Sequence, residues 1–127
     1  MVGIVLVSHS AEIASGLAQL AGQMAGDGVS IEAVGGGPEG GLGTNGDRVQ
    51  EALGTADSGD GVVVLGDLGS AILTVRHVLE RNGNGHVRLV DAPFVEGAVA
   101  AAVTASVGSS LDEVAHAAEG ARGASKL

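Results

Sequence analysis

Two short polar segments of this sequence carry side chains capable of phosphoryl chemistry, and each directly follows an apolar run. Ser8-His9-Ser10 comes after residues 2–7, and Asp67-Leu68-Gly69-Ser70 comes after residues 61–66. A neutral imidazole is a good nucleophile near pH 7, and a carboxylate bonded to one ring nitrogen leaves the other nitrogen free to react. We therefore predict that His9 accepts a phosphoryl group and that Asp67 orients its ring.

The elements that must position these residues alternate along the chain. Apolar runs near residues 2–7, 29–34, 61–66 and 86–90 predict four strands, and the amphipathic segments between them predict helices. This alternation predicts an α/β fold, a flavodoxin-like doubly wound, mainly parallel four-stranded sheet of order 2-1-3-4 with helices on both faces. In that order strands one and three are neighbours, so His9 and Asp67 come together at the switch point of the sheet.

The remaining elements follow from local signals. Ser10 is the predicted N-cap of the first helix. The apolar face of that helix is predicted at Ile13, Leu17, Leu20 and Met24. Residues 35–47 contain seven glycines and one proline, which predicts a functional or mobile loop. Two helices are predicted at about residues 95–107 and from about residue 110. We expect one domain, residues 1–119, followed by a disordered tail, residues 120–127.

Hydroxyl and backbone groups near the two segments can stabilise a phosphoryl group. The candidates are the hydroxyls of Ser8, Ser10, Ser70 and Thr44, with the backbone N–H groups of Gly69 and Ser70. No lysine or arginine stands beside the two segments in the sequence. Such a site suits a phosphate that is passed to a partner better than one that is held tightly.

Each candidate residue also has a purely structural alternative. His9 can be a hydrogen-bonded structural histidine, Asp67 can cap the following helix, and Gly69 and Ser70 can form a tight turn. No metal site is predicted, because the other histidines do not stand at metal-ligand spacing. Those histidines are His77, His86 and His116. No cofactor is predicted, because no dinucleotide fingerprint or P-loop is present.

The composition narrows the class of partner. The chain has a formal net charge of −9, no cysteine and a single aromatic residue, Phe94. The lack of a basic stripe and of stacking residues argues against nucleic acid as a partner. The N-terminal apolar run is too short to span a bilayer, so we expect no membrane partner and a cytoplasmic location.

Four motifs together resemble a known family. They are Ile4-Val5-Leu6-Val7-Ser8-His9-Ser10, Leu42-Gly43-Thr44-Asn45-Gly46, Gly66-Asp67-Leu68-Gly69-Ser70-Ala71 and Ala92-Pro93-Phe94-Val95-Glu96-Gly97-Ala98. In this order and spacing the sequence resembles the phosphotransfer subunits of phosphoenolpyruvate-dependent dihydroxyacetone kinases, whose core is a mannose-type enzyme IIA domain. The resemblance extends over roughly residues 2–118, and within it His9 matches the phosphorylated residue.

The resemblance implies a phosphotransferase that works through a phosphohistidine relay. The phosphocarrier HPr would phosphorylate His9, with Asp67 as the orienting carboxylate and Thr44, Gly69 and Ser70 as pocket residues. His9 would then pass the group to ADP on the nucleotide-binding subunit of the kinase, and the chain would be a homodimer. The alternatives are an enzyme IIA of a mannose-type sugar transporter, a non-catalytic phosphohistidine regulatory module, and a flavodoxin-like domain that binds a small ligand.

Overall fold

The computed structural model describes residues 1–37, 41, 43–83 and 85–127, and these form a three-layer α/β fold. Its four parallel strands have the order β2-β1-β3-β4, which confirms the predicted topology. The strands are β1 (Gly3–Ser8), β2 (Ile31–Gly35), β3 (Val62–Gly66) and β4 (Val87–Leu89). The helices are α1 (Ala11–Ala25), α2 (Gly46–Ala56), α3 (Gly69–Asn82), α4 (Phe94–Ser106) and α5 (Leu111–Gly120), followed by a 3-10 turn at Ala121–Gly123.

Strand β1 lies in the middle of the core and is buried on both faces. Its side chains alternate between two apolar clusters. Ile4 and Leu6 pack on the side of α1, α4 and α5, whereas Val5 and Val7 pack on the side of α2 and α3. This explains why the N-terminal run is continuously apolar rather than alternating.

The register between β1 and β3 sets the position of the two polar segments. Val7 pairs with Gly66, and the N–H of Asp67 donates to the carbonyl of Val7 at 3.1 Å, one step beyond the regular strand. Both strands therefore end at the same level, and Ser8-His9 lies beside Asp67 at their carboxyl ends.

The predicted apolar face of α1 was wrong for three of its four residues. Leu17 is buried, but Ile13, Leu20 and Met24 are 54%, 42% and 59% exposed. The buried face consists instead of Ala14, Leu17 and Ala21. Small alanine side chains let α1 lie close to the sheet and to α4, and the helix carries a second apolar stripe that faces outward. Helical spacing alone does not show which of two apolar stripes is buried.

The segment predicted as a loop, residues 35–47, is shorter in the structure. Gly35 ends β2 and Gly46 begins α2, where the side chain of Asn45 caps the helix by accepting the N–H of Asp47 at 3.0 Å. Residues 38–40 and residue 42, which belong to the predicted loop, lie outside the described residues, as does Asn84.

The C-terminal helices agree with the prediction to within a residue or two. A capping box between Ser110 and Glu113 fixes the start of α5. Beyond α5, the guanidinium of Arg122 donates to the carbonyl of Asp91. The domain boundary at residue 119 and the disorder of the tail stay predictions. None of the helices in the described residues is both long and apolar enough to cross a membrane.

A close approach between β2 and the start of α1 requires glycine at position 35. A Cβ there would lie 2.5 Å from the carbonyl oxygen of Ser10 and 2.6 Å from Cα of Ala11. We expect Gly35→Ala to lower the free energy of unfolding by about 1–3 kcal/mol, because backbone atoms must move apart. Urea unfolding of the variant measures this change.

The matched control is Gly54→Ala on the exposed face of α2, where no heavy atom of the described residues lies within 4 Å of the added Cβ. This change is expected to raise the free energy of unfolding by about 0.5–1 kcal/mol through helix propensity. Equal effects of the two substitutions would contradict the close approach at Gly35.

Candidate functional site

The site is built on the hydrogen bonds between His9 and Asp67. The ring Nδ1 of His9 lies 3.0 Å from Oδ1 of Asp67, and the backbone N–H of His9 donates to Oδ2 of Asp67 at 3.0 Å. The side chains of His9 and Asp67 are 24% and 14% exposed. The carboxylate therefore holds the histidine by both its ring and its backbone, while part of the ring remains open to solvent.

Four donors surround the carboxylate of Asp67. Besides the two groups of His9, the hydroxyl of Ser8 donates to Oδ2 at 2.8 Å and the N–H of Leu68 donates to Oδ1 at 2.8 Å. Burial raises the pKa of Asp67, but these four hydrogen bonds outweigh burial and hold the pKa below its ordinary value of 3.8. Asp67 is therefore ionised at neutral pH, and its accepting capacity is filled by donors.

An ionised acceptor-only carboxylate fixes the tautomer of His9. Because Asp67 has no proton to give, Nδ1 of His9 must carry the proton that forms their hydrogen bond. In the neutral ring Nε2 then holds the free lone pair, and it accepts a hydrogen bond from the hydroxyl of Ser70. The arrangement leaves the free lone pair of the ring on Nε2, beside the first turn of α3.

The role of Asp67 as a cap of α3 is not what the geometry shows. The N-cap residue of α3 is Leu68, and no side chain of the described residues caps the first turn of this helix. The N–H groups of Gly69 and Ser70 belong to that turn, where helices leave backbone donors without an intrahelical partner. The hydroxyl of Ser70 in the same turn contacts Nε2 of His9, so an anionic group on that nitrogen would lie beside the start of α3.

The predicted hydroxyls take different positions around the pair. Ser8 is fully buried, and its oxygen also accepts the N–H of Ser10 at 3.0 Å. Its hydroxyl therefore holds the carboxylate of Asp67 from the buried side of the site. Ser10 caps α1 by accepting the N–H of Ile13 at 3.2 Å. Ser70 alone among the predicted hydroxyls contacts the imidazole in the described residues. Direct phosphate contacts of these residues stay predictions.

Thr44 joins the site through a residue that the sequence analysis missed. Its Oγ1 lies 2.7 Å from Oγ1 of Thr74, and Thr74 donates to the carbonyl of Ser70 at 3.0 Å. Thr74 lies one helical turn after Ser70, so the i, i+4 spacing on α3 was the available signal. The N–H of Gly43, beside Thr44, donates to the carbonyl of His9 at 2.9 Å.

The surroundings leave His9 on an open rim. A groove of about 810 Å³ runs between α3 and β4 and reaches Asp67 and Gly69 at one end, but His9 is not among its lining residues. The other histidines are remote from the pair in sequence position, and His77 and His116 are exposed on helices. Across the described residues, no three side chains of metal-ligand type form a cluster.

The four-stranded parallel sheet and a family-model match together identify the class of protein as an enzyme IIA domain. The chain belongs to the EIIA-man family, because the family model described as "PTS system fructose IIA component" matches residues 3–115. That match confirms the mannose-type enzyme IIA core on which the sequence resemblance rests.

Three curated relatives of this chain are named as subunits of dihydroxyacetone kinases. A Listeria innocua protein named "PEP-dependent dihydroxyacetone kinase 2, phosphoryl donor subunit DhaM" is 38% identical over 117 residues, covering 90% of this chain and 94% of the relative. A Lactococcus lactis phosphotransferase subunit DhaM is 36% identical over 112 residues, covering 88% and 89%. The Escherichia coli K12 subunit is 38% identical over 120 residues, which are 25% of its length.

Solved structures agree with the fold. The crystal structure of a protein described as of unknown function, EF1359, superposes with a TM-score of 0.86 at 32% identity and covers 100% of this chain and 99% of its own. A sigma-54 interaction domain protein from Enterococcus faecalis has a TM-score of 0.67 at 19% identity, covering 89% and 84%. At 19% identity, the second structure supports the fold alone.

Proposed function

We propose that this protein is a phosphocarrier that accepts a phosphoryl group from phospho-HPr on Nε2 of His9. It then passes the group to ADP bound on the nucleotide-binding subunit of a dihydroxyacetone kinase. The observation that carries the proposal is the hydrogen bond between Nδ1 of His9 and the ionised carboxylate of Asp67. That bond leaves Nε2 unprotonated and oriented toward the rim, as a nucleophile requires.

Each transfer exchanges one bond to phosphorus for another. In uptake, the lone pair of Nε2 forms a P–N bond while the P–N bond of the donor phosphohistidine breaks. In delivery, an oxygen of the terminal phosphate of ADP forms a P–O bond while the bond to Nε2 breaks, and ATP results. The proton on Nδ1 stays in its hydrogen bond to Asp67 throughout, so the ring returns to its starting tautomer.

The first turn of α3 is suited to the charge of the transferred group. The hydroxyl of Ser70 must leave Nε2 when phosphorus arrives, and rotation about its side-chain bond lets it donate to a phosphoryl oxygen instead. The N–H groups of Gly69 and Ser70 add backbone donors at the same place. No lysine or arginine bonds to His9 or Asp67 in the described residues, which favours onward transfer over retention.

The choice of acceptor rests on the names of the relatives, which describe phosphoryl donor subunits of dihydroxyacetone kinases. The open position of His9 fits an acceptor nucleotide presented by another protein. A mannose-type sugar transport IIA would use the same chemistry with a different acceptor, and a regulatory module would not deliver the phosphate. We propose a cytoplasmic location because HPr and the kinase subunits act there.

A two-stage assay tests this function. The protein is incubated with phosphoenolpyruvate, enzyme I and HPr, and the mass gain of one phosphoryl group is followed. The ADP-loaded kinase subunit is then added, and the expected result is loss of the phosphoryl group with formation of ATP. Uptake without loss would contradict the kinase role, and absence of uptake would contradict the phosphocarrier role.

We also propose that the protein is a homodimer whose interface includes the outer faces of α1 and α4. These helices pack side by side. They expose Ile13, Leu20 and Met24 on α1, Val95 and Val103 on α4, and Val107 directly after α4. Of the six basic and fifteen acidic residues of the chain, α1 and α4 hold only Glu12 and Glu96. A second copy is the favoured occupant, because two chains of net charge −9 repel each other less through an almost uncharged face.

Leu20→Arg is expected to convert the dimer to a monomer of 12.2 kDa, because it places two like charges in the contact. Light scattering during gel filtration measures the mass. The matched control is Leu73→Arg, an equally large change at an exposed leucine of α3, on the opposite side of the sheet. A monomeric wild-type protein, or a Leu20→Arg variant that stays dimeric, would contradict this interface.

A further inference from the structure

Thr74 links two segments of the site that are far apart in sequence. It lies on α3 one turn after Ser70, and its Oγ1 donates to the carbonyl of Ser70 at 3.0 Å. The same Oγ1 lies 2.7 Å from Oγ1 of Thr44, and both threonine residues are partly buried. Thr74 thus connects the turn that presents Ser70 to His9 with the end of the glycine-rich segment.

Counting protons assigns the direction of these hydrogen bonds. A threonine hydroxyl has one proton and two lone pairs. Because Thr74 gives its proton to the carbonyl of Ser70, Thr44 must donate its own proton to Thr74. The oxygen of Thr44 is then left with lone pairs only, and phosphoryl oxygens are acceptors as well. While this bond exists, the hydroxyl of Thr44 does not serve as a phosphate donor.

The segment around Thr44 is held from both sides. The N–H of Gly43 donates to the carbonyl of His9 at 2.9 Å, and Asn45 caps α2. Between these two anchors, Thr44 makes the one side-chain hydrogen bond from the segment to α3 in the described residues, to Thr74. The hydroxyl of Thr74 therefore adds a hydrogen-bonded link between the glycine-rich segment and the first turn of α3, next to the packing of α2 against α3.

We propose that Thr74 is a positioning residue for phosphoryl transfer. Its hydroxyl relays a hydrogen bond from Thr44 to the carbonyl of Ser70 and so fixes the segment around residues 43–45 against the turn that faces Nε2 of His9. This role rests on the proposed phosphocarrier function and adds to it a residue that never touches the phosphoryl group. Small displacements of positioned groups slow transfer steeply, since the reaction depends on in-line geometry.

The test compares Thr74→Val with Thr74→Ser. Valine keeps the shape of threonine and removes the relay, whereas serine keeps the hydroxyl. At saturating phospho-HPr, the uptake rate constant of Thr74→Val is expected to fall about tenfold or more, with the half-saturating concentration changed by less than about twofold. Thr74→Ser is expected to stay within about threefold of wild type. This rescue separates a positioning hydroxyl from general packing.

Thr55 provides a matched control on α2. Its Oγ1 donates to the carbonyl of Glu51 at 3.1 Å, the same i−4 hydrogen bond that Thr74 makes, and Thr55 is exposed. Thr55→Val therefore removes an equivalent helical bond without touching the site, and its uptake rate is expected to equal that of wild type.

Thr44→Val and the double variant Thr44→Val/Thr74→Val complete a double-mutant cycle. If the two hydroxyls act through their shared bond, Thr44→Val slows uptake as Thr74→Val does, and the double variant is no slower than either. If the wild type takes up the phosphoryl group and Thr74→Val does so at the same rate, this inference alone is overturned. Additive slowing in the double variant would also overturn it. Absence of uptake by the wild type would overturn the phosphocarrier function itself, and the inference with it.

Discussion

Replacing His9 by alanine is expected to abolish phosphoryl uptake from phospho-HPr while leaving the protein folded. The imidazole is 24% exposed and bonds only to Asp67 and Ser70 among the described side chains, so the core does not depend on it. The change removes Nε2, for which the site has no substitute nucleophile of comparable strength. Mass spectrometry after incubation with phosphoenolpyruvate, enzyme I and HPr measures uptake.

His116→Ala is the matched control for this substitution. His116 is exposed on α5, away from the carboxyl ends of β1 and β3, and its loss is expected to leave uptake unchanged. Circular dichroism of both variants checks the fold. Stoichiometric uptake by His9→Ala would show that another residue is phosphorylated, and His9 would then be the structural histidine of the alternative interpretation.

Asp67→Asn is expected to slow uptake by about 10²- to 10⁴-fold, by analogy with the loss of an orienting carboxylate from a catalytic histidine. Asparagine has one accepting oxygen and a donor NH₂ group, whereas four donors face the side chain at position 67. The NH₂ group cannot accept from Nδ1, so the ring is driven toward the tautomer with its proton on Nε2. Single-turnover kinetics at saturating phospho-HPr measure the effect.

The pH dependence of stability gives an independent check on Asp67. Its pKa is lowered in the folded state, so its ionised form stabilises the fold above the ordinary pKa of 3.8, and this contribution is lost as the pH falls below that value. The difference in unfolding free energy between wild type and Asp67→Asn should therefore be constant near neutral pH and shrink below about pH 4. The control is Asp27→Asn, at an exposed aspartate.

The kinetic experiment on Asp67→Asn has its own contradicting outcome. If the variant takes up the phosphoryl group at the wild-type rate, the carboxylate of Asp67 has a structural role only.

The topology could be predicted because two features of the sequence constrain it strongly. Continuous β-branched runs such as the one in β1 fit only strands buried on both faces, and their alternation with helices requires parallel pairing. The predicted order of the strands then brings His9 and Asp67 to neighbouring strand ends. The face of α1 was mispredicted, because Ile13, Leu20 and Met24 form a stripe as regular as the buried alanines.

The candidate site was predictable in its central pair and less so in its supports. The sequence shows a histidine and a carboxylate at the ends of two predicted neighbouring strands. The donor and acceptor of each hydrogen bond, in contrast, can be assigned only once the contacting atoms are known. The tautomer of His9 follows only from the four donors around Asp67, and the importance of Thr74 follows only from its contact with Thr44. Ser8 is predicted as a phosphate-supporting residue from its position beside His9; in the structure it is fully buried and donates to Asp67, and its contact with phosphate stays a prediction.

The measurement that tests the central claim most directly is nuclear magnetic resonance of the phosphorylated protein with ¹⁵N-labelled histidine. Coupling between phosphorus and a ring nitrogen identifies both the residue and the atom that holds the phosphoryl group. We predict coupling to Nε2 of His9, with Nδ1 still protonated beside Asp67. Phosphorus on Nδ1 of His9, or on any other residue, would contradict the proposed transfer site.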